Sequence, residues 1–152
     1  MHYRLFESED FEDLYAIEEV CFQPPHRFSR RYMRYLVHQP GTATWIAEES
    51  FCLSGFAIVE WLEETAGEIA YIETLEVAAK NRKQGIGAEL LRRVEESSRE
   101  VGAKIIWLHV DAENASAIRL YEAHGYKQKG REEHYYARSR DALIYLKPLI
   151  ES

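Results

Sequence analysis

Cysteine is scarce in this sequence: Cys21 and Cys52 are the only two, both among apolar neighbours. Buried free thiols are therefore expected, not a disulfide or half of a metal site. Histidine does not supply the missing ligands. The six, at positions 2, 26, 38, 109, 124 and 134, show no metal-ligand spacing, so no metal is expected. Positive charge is short as well, with 19 Lys and Arg against 26 Asp and Glu and a net charge of −7. A pI near 5.4 argues against a general nucleic-acid binder, whose phosphate contacts need clustered cations. The basic clusters at 27–31 and 80–83 are each short. No run of about 18 apolar residues exists and the N-terminus has no apolar stretch of signal length, so no membrane partner is expected and the cytoplasm is the default. No repeat, low-complexity tract or linker interrupts the chain, and one domain spanning 1–152 is the expectation.

The rest is ordinary globular composition, 46% hydrophobic and 30% charged. Residues 2–6 read as a first strand. Ser8 offers a cap for a helix over 9–21 with Phe11, Leu14, Ile17, Val20 and Cys21 inward. Prolines 24 and 25 stop it. Ser29 caps a second helix to about His38, with Tyr32, Met33, Leu36 and Val37 inward. Between them lies an exposed loop carrying Phe22, Pro24, Pro25, His26 and Phe28, either a plain connector or a wall that grips substrate. Strands follow over 42–48 and 51–61, with the acidic stretch 60–68 as a solvated hairpin end. A fourth strand over 69–77 leads into a helix to about Val101 that Gly102 ends. Residues 105–110 are nearly continuous apolar sequence, as in a strand covered on both faces. A helix over 115–124 ends at Gly125, and two strands over about 126–135 and 142–149 complete the order β-α-α-β-β-β-α-β-α-β-β. The class is α+β with a mixed sheet.

Residues 71–91 organise this order. A strand passes through a cationic turn into a helix that starts at Gly85 and Gly87. Such a start leaves backbone N–H groups unpaired and pointing at whatever lies in front, and Lys80, Arg82 and Lys83 stand beside it. A pyrophosphate suits that spot. Paired glycines also cap helices and pack against sheets, so the turn alone does not decide. On the fourth strand the period of two puts Tyr71, Glu73, Leu75 and Val77 on one face and Thr74 and Glu76 on the other. On the fifth, Ile105, Trp107 and His109 share a face. A strand-end histidine or a lone tyrosine is often a hydrogen-bonded core residue; an imidazole, titrating near pH 6.5, also serves as a general base.

The run Arg82-Lys83-Gln84-Gly85-Ile86-Gly87 resembles the Arg/Gln-x-x-Gly-x-Gly/Ala signature of the GNAT superfamily of N-acetyltransferases. Residues 71–75, 108–110, 114–121 and 125–126 are similar to its branch acting on protein N-termini, the ribosomal-protein-alanine enzymes included. The resemblance implies a seven-stranded sheet with strands four and five splayed, about four helices, and acetyl-CoA as cosubstrate. It implies that Arg82, Lys83, Gln84, Gly85, Ile86, Gly87 and Ala88 hold the pyrophosphate, with Leu75 and Val77 along the coenzyme and Asn114 on its arm, although Asn114 is also a good helix cap. It implies catalytic roles for Tyr71 and His109, which share a water as base, and for Tyr121 near the sulfur. The ribosomal-protein subgroup usually carries Glu where His109 stands, a departure that bears on base and acceptor. Substrate-side residues would be Phe22, Pro24, Pro25, Tyr135 and Tyr136, with Glu73 reading the second residue or its charge. The tyrosine pair would on composition alone serve equally as surface strand residues.

An α-amine loses its proton near pH 7.7–8.0 and a lysine near 10.4, a difference of about 3–4 kcal/mol. This favours a protein or peptide N-terminus as acceptor. A small amine such as a polyamine or aminoglycoside, supported by the acidic residues at 60–68, 73 and 76, or a lysine side chain is the alternative. A coenzyme-binding regulatory domain without turnover is the third. A monomer or weak homodimer is expected.

Overall fold

The computed structural model describes residues 1–24, 26–66, 68–82, 84–137 and 140–150. One sheet of seven strands forms the middle layer: β1 (His2–Leu5), β2 (Thr42–Glu49), β3 (Cys52–Trp61), β4 (Ile69–Val77), β5 (Ile105–Asp111), β6 (Lys127–Ala137) and β7 (Arg140–Pro148). Their spatial order is β1-β2-β3-β4-β5-β7-β6. Every neighbouring pair is antiparallel except β4 and β5, which run parallel. Helices α1 (Phe11–Cys21) and α2 (Arg30–Val37) cover one face, and α3 (Ile86–Glu100) covers the other. The fourth helix, α4 (Ala115–Ala123), stands between β5 and β6 in the chain.

Local chemistry sets the helix ends. Ser29 accepts a hydrogen bond from the Tyr32 N–H (3.1 Å) and starts α2 as predicted. Ser8 does not cap α1. It opens a short 3-10 turn, Ser8–Asp10, and the reciprocal capping bonds belong to Glu7 and Asp10. The reason is Arg4, whose guanidinium takes both Asp10 oxygens at 2.8 Å and fixes that carboxylate beside the turn. Gly102 and Gly125, as expected, follow α3 and α4.

Two apolar clusters fill the layers. Phe11, Leu14, Ile17, Met33 and Leu36 pack on Ile46, Phe56 and Ile58. On the opposite face Leu90, Leu91 and Val94 pack on Ala57, Val59, Ile106 and Leu108. Val20 was expected inward and is 70% exposed. The buried stripe of α1 runs 11-14-15-18, which puts residue 20 on the far side of the helix and draws Glu18 into the interior. Tyr32, 40% exposed, likewise leaves the α2 core and leans over the cleft described below. Neither thiol is fully buried. Cys21 is half-buried, and Cys52 is exposed because β3 begins there, just after a turn with positive φ at Ser50 and Phe51.

The faces of β4 do not alternate as a period of two demands. Ile58 pairs with Thr74, yet Val59 pairs with Ile72, so Glu73 is an extra residue. This bulge resets the faces. Ala70 and Ile72 lie with Leu75 and Val77 on the α3 side, while Tyr71 lies against Trp107 on the α1–α2 side. The expectation that Tyr71, Leu75 and Val77 share one face is therefore wrong. Gly55 accommodates the same region, since a Cβ there would stand 2.6 Å from the Glu76 carbonyl oxygen. Parallel pairing of β4 with β5 stops at Ile72 and Leu108. Beyond that point β4 stays with β3 and β5 stays with β7, and the sheet opens into a V.

Candidate active site

The V opens into a cleft of about 460 Å³. Its floor is the splayed ends of β4 and β5. One wall is the segment carrying Phe22, His26, Phe28 and Tyr32, and the other carries Tyr135 and Tyr136. One face of β5 therefore lines open space, contrary to the expectation of a strand covered on both sides. Ile106, Leu108 and Val110 are buried, but Trp107 and His109 face the cleft.

At the α3 side of the opening stands the glycine turn. Gly85 caps α3 at φ +77°, a left-handed conformation that a side chain disfavours. The first-turn N–H groups of Ile86, Gly87 and Ala88 precede the helical ladder and have no intrahelical partner. Ile86 is itself a core residue, so only its main chain is available here. A Cβ on Gly87 would meet Leu120 at 3.4 Å, Leu75 at 3.6 Å and Val77 at 3.8 Å, the apolar surfaces of α4 and β4 that flank the gap. Gln84 is exposed, and Arg82 bonds the Val77 carbonyl (3.2 Å) and reaches the Cys21 sulfur (3.7 Å). Asn114 caps α4, its Oδ1 accepting from Ala117 N–H at 3.2 Å, which leaves the amide nitrogen of that side chain outside the cap. Pro25 and Lys83 lie outside the described residues, and Pro24 does not line the cleft.

Tyr71 and His109 meet directly, with Oη 2.7 Å from Nδ1. Burial, followed by the nearby phenol of Tyr135 and carboxyl of Glu73, pushes the Tyr71 hydroxyl well above the ordinary phenol range. It therefore stays protonated, and which atom of the pair donates follows the His109 tautomer. Trp107 packs on Tyr71 at 4.6 Å between ring centroids, and Tyr135 stacks on His109 at 4.2 Å with the rings 10° apart. Tyr135 gets there because β6 leaves its ladder. Glu132 pairs with Ala142 and the next pair is Ala137 with Arg140, so residues 133–136 loop away from β7. His134 takes a positive φ of 56° and its N–H bonds Asp141 at 2.9 Å, which turns the two tyrosines towards the cleft. Tyr121, 6% exposed, lines the cleft from α4, and burial raises its phenol as well.

Two pairings of acidic groups here escaped the sequence reading. Glu60 belongs to β3 and lines the cleft beside Glu73; it is not part of a solvated hairpin end. Burial and the neighbouring Glu60 carboxyl push Glu73 up to about 8, so the two hold a proton between them near neutrality. Glu18 and Glu76 form a second pair, deeper. Burial and the Glu18 carboxyl raise Glu76 well above its ordinary range. Glu18 accepts from the Phe28 N–H (2.9 Å) and Glu76 from the Thr74 hydroxyl (2.7 Å), which anchors the Phe28 wall to the floor. A carboxylate on the inward stripe of α1 was a signal available in advance. A third contact closes the roof. His26 Nε2 lies 2.7 Å from Asp111, its ring stacks on Tyr136 at 4.4 Å, and Arg140 bonds the same Asp111 oxygen at 2.6 Å.

The profile of the Acetyltransferase (GNAT) family matches residues 11–126, the span holding the glycine turn, both splayed strands and α4. The chain belongs to this family. Among curated proteins it is similar to the ribosomal protein bS18-alanine N-acetyltransferase of Escherichia coli K12, 27% identical over 94% of each chain. It is 34% identical to an N-alpha-acetyltransferase of Sulfurisphaera tokodaii and 37% to a streptothricin acetyltransferase of Streptomyces lavendulae. Those matches cover 52% and 55% of this chain but only 48% and 43% of the relatives' own lengths. The crystal structure of the Escherichia coli ribosomal-protein-S18-alanine N-acetyltransferase superposes with a TM-score of 0.86 at 23% identity, over 99% of this chain and 95% of that one. An aminoglycoside 6'-N-acetyltransferase complexed with coenzyme A reaches 0.85 at 16%, over 100% and 99%. The GNAT fold is thereby shown, a seven-stranded mixed sheet with four helices. Among the described residues no three His, Cys, Asp or Glu side chains are grouped to hold a metal, and no helix is long and apolar enough to cross a membrane.

Proposed function

We propose that residues 1–152 form one cytoplasmic N-acetyltransferase domain that moves the acetyl group of acetyl-CoA to a primary amine, with a protein N-terminus as acceptor. The observation that carries the reading is the 2.7 Å contact between Tyr71 and His109 beside the gap that the α3 turn faces. The residues fit the coenzyme. Unpaired amides at Ile86, Gly87 and Ala88, with Arg82, Gln84 and Gly85, suit a pyrophosphate. The open edges of Leu75 and Val77, opposite Asn114, suit an extended arm. When bound, the coenzyme supplies an acyl carbon activated by a thiolate leaving group.

The chain's own groups do the remainder. Main-chain amides around Leu75 and Val77 stabilise the oxyanion as the amine attacks. The amine's proton passes to the Tyr71 oxygen while the Tyr71 proton moves to His109 Nδ1, so imidazole is the final acceptor. Tyr121 donates a hydrogen bond to the departing sulfur. An ordinary thiol titrates near 8.5 and burial holds the phenol above its usual range, so Tyr121 stabilises the thiolate without giving up its proton. Phe22 with Tyr135 and Tyr136 flank the acceptor, and Glu73 faces its second residue. The protein works as a monomer or weak homodimer.

A second reading, a small amine carrying further positive charge, is favoured by the Glu60–Glu73 pair in the cleft. Thiol release measured with acetyl-CoA and N-terminal peptides, lysine peptides, spermidine and an aminoglycoside separates the two. Release with N-terminal peptides at least tenfold above the other amines is expected. Preference for spermidine or the aminoglycoside reverses the acceptor assignment, and no release with any of them ends the catalytic reading.

A further inference from the structure

The proposed chemistry uses one nitrogen of His109, and the other is also engaged. Nε2 lies 3.2 Å from Glu132 Oε1, while the imidazole is only 8% exposed and the Glu132 side chain is 52% exposed. We infer that Glu132 is a positioning residue, fixing the His109 tautomer and balancing the imidazolium formed during transfer. This inference rests on the acetyltransferase reading.

The Glu132 contact selects the tautomer of a neutral ring, and the Tyr71 hydroxyl, which can donate or accept, then donates to the bare Nδ1. A carboxylate only accepts, so Nε2 must carry the hydrogen. Without Glu132 a neutral imidazole is free to hold its hydrogen at Nδ1 instead. The Tyr71 contact would then reverse. Its oxygen would accept from Nδ1–H, and its hydroxyl hydrogen would turn into the cleft where the incoming amine needs an acceptor. Third-group orientation of a base in this manner is a general device of acid–base catalysis.

Placement supports the assignment. Glu132 is the last β6 residue on the ladder before the excursion that carries Tyr135 over the imidazole. One short segment thus delivers both the cover and the counter-charge. The titratable side chains facing His109 are Tyr71 from β4 and Glu132 and Tyr135 from β6. Of these, Glu132 is the carboxylate. When the amine's proton reaches Nδ1, the positive charge formed lies beside it, and the imidazolium returns its proton to solvent between turnovers.

The test compares E132Q, E132A and the neighbouring control E133Q. A carboxylate beside an imidazole favours its charged form. E132Q should therefore move the acid limb of the kcat–pH profile to lower pH by roughly half a unit or more and lower the plateau about tenfold, with KM for acetyl-CoA unchanged. E133Q should match the wild type. Nitrogen-detected NMR of the His109 ring, recorded without substrate, should show Nε2–H in the wild type and a substantial Nδ1–H population in E132A. An unmoved acid limb in E132Q together with an unchanged tautomer in E132A would overturn the assignment. Absence of acetyl transfer in the wild type would instead refute the catalytic reading, and the NMR comparison would then decide the contact alone.

Discussion

At the scale of single residues, Tyr71, Tyr121 and His109 line one cleft, and burial acts on the two phenols. It holds Tyr71 and Tyr121 in their neutral forms, so each keeps a hydrogen to donate. Proton acceptance then falls to His109. His109→Ala should accordingly depress turnover on an N-terminal peptide by about 10²-fold or more at pH 6.5 and by much less at pH 9, where the α-amine is already neutral. A loss equal at both pH values would assign His109 a packing role. Tyr121→Phe should lower kcat about tenfold with little change in KM for acetyl-CoA, read from steady-state thiol release. Tyr71 and His109 were singled out in advance as polar groups on two strands and Tyr121 by the family resemblance, and all three line the cleft. Glu132 was not. It lies among other charged residues of β6, and only the register shift against β7 brings it to the imidazole.

Among elements, the bulge in β4 and the excursion in β6 decide what faces what. The strand limits and helix caps were readable because proline, glycine and Ser29 act over a few residues. The bulge was not, because nothing in Tyr71-Ile72-Glu73-Thr74 forbids a regular strand. It exists only in the register against β3, and one added residue reverses every side chain beyond it. Leu75 and Val77 thereby reach the apolar floor near Gly87, while Tyr71 reaches Trp107. Gly87→Val would fill the space between Leu75 and Leu120 and stand before the α3 amides. The expected result is a KM for acetyl-CoA raised tenfold or more with a cooperative thermal transition retained. Unchanged coenzyme affinity by calorimetry would contradict the assigned turn.

For the whole molecule, paired carboxyls in an acidic chain carry a cost that depends on pH. Glu73 is raised from its ordinary value of 4.5 to about 8 and Glu76 is raised too, so the folded state binds more protons than the unfolded chain. Their contribution is fully present below about pH 4.5 and is lost as pH rises through the folded values. Each proton contributes at most about 1.4 kcal/mol per pH unit. Asp10, held low by Arg4, acts in the opposite sense, but only as pH falls below the ordinary carboxylate range. Thermal denaturation should therefore show a lower Tm at pH 8.5 than at pH 5.5, and Glu73→Gln should flatten that dependence. An identical slope in the variant would mean that the Glu60–Glu73 pair does not hold the proton. The overall order of strands and helices was open to sequence reading because apolar spacing repeats within each element. The pairing of acids was hidden, since Glu60 and Glu73 come together only once β3 lies against β4.

The bond from His26 to Asp111 and its stack on Tyr136 have a geometric outcome. Fastened across the top, the opening is a ring and no longer a trench. On the proposed reading, a polypeptide acceptor does not lie along such an opening but is threaded tip first, by a free end or a long slender side chain.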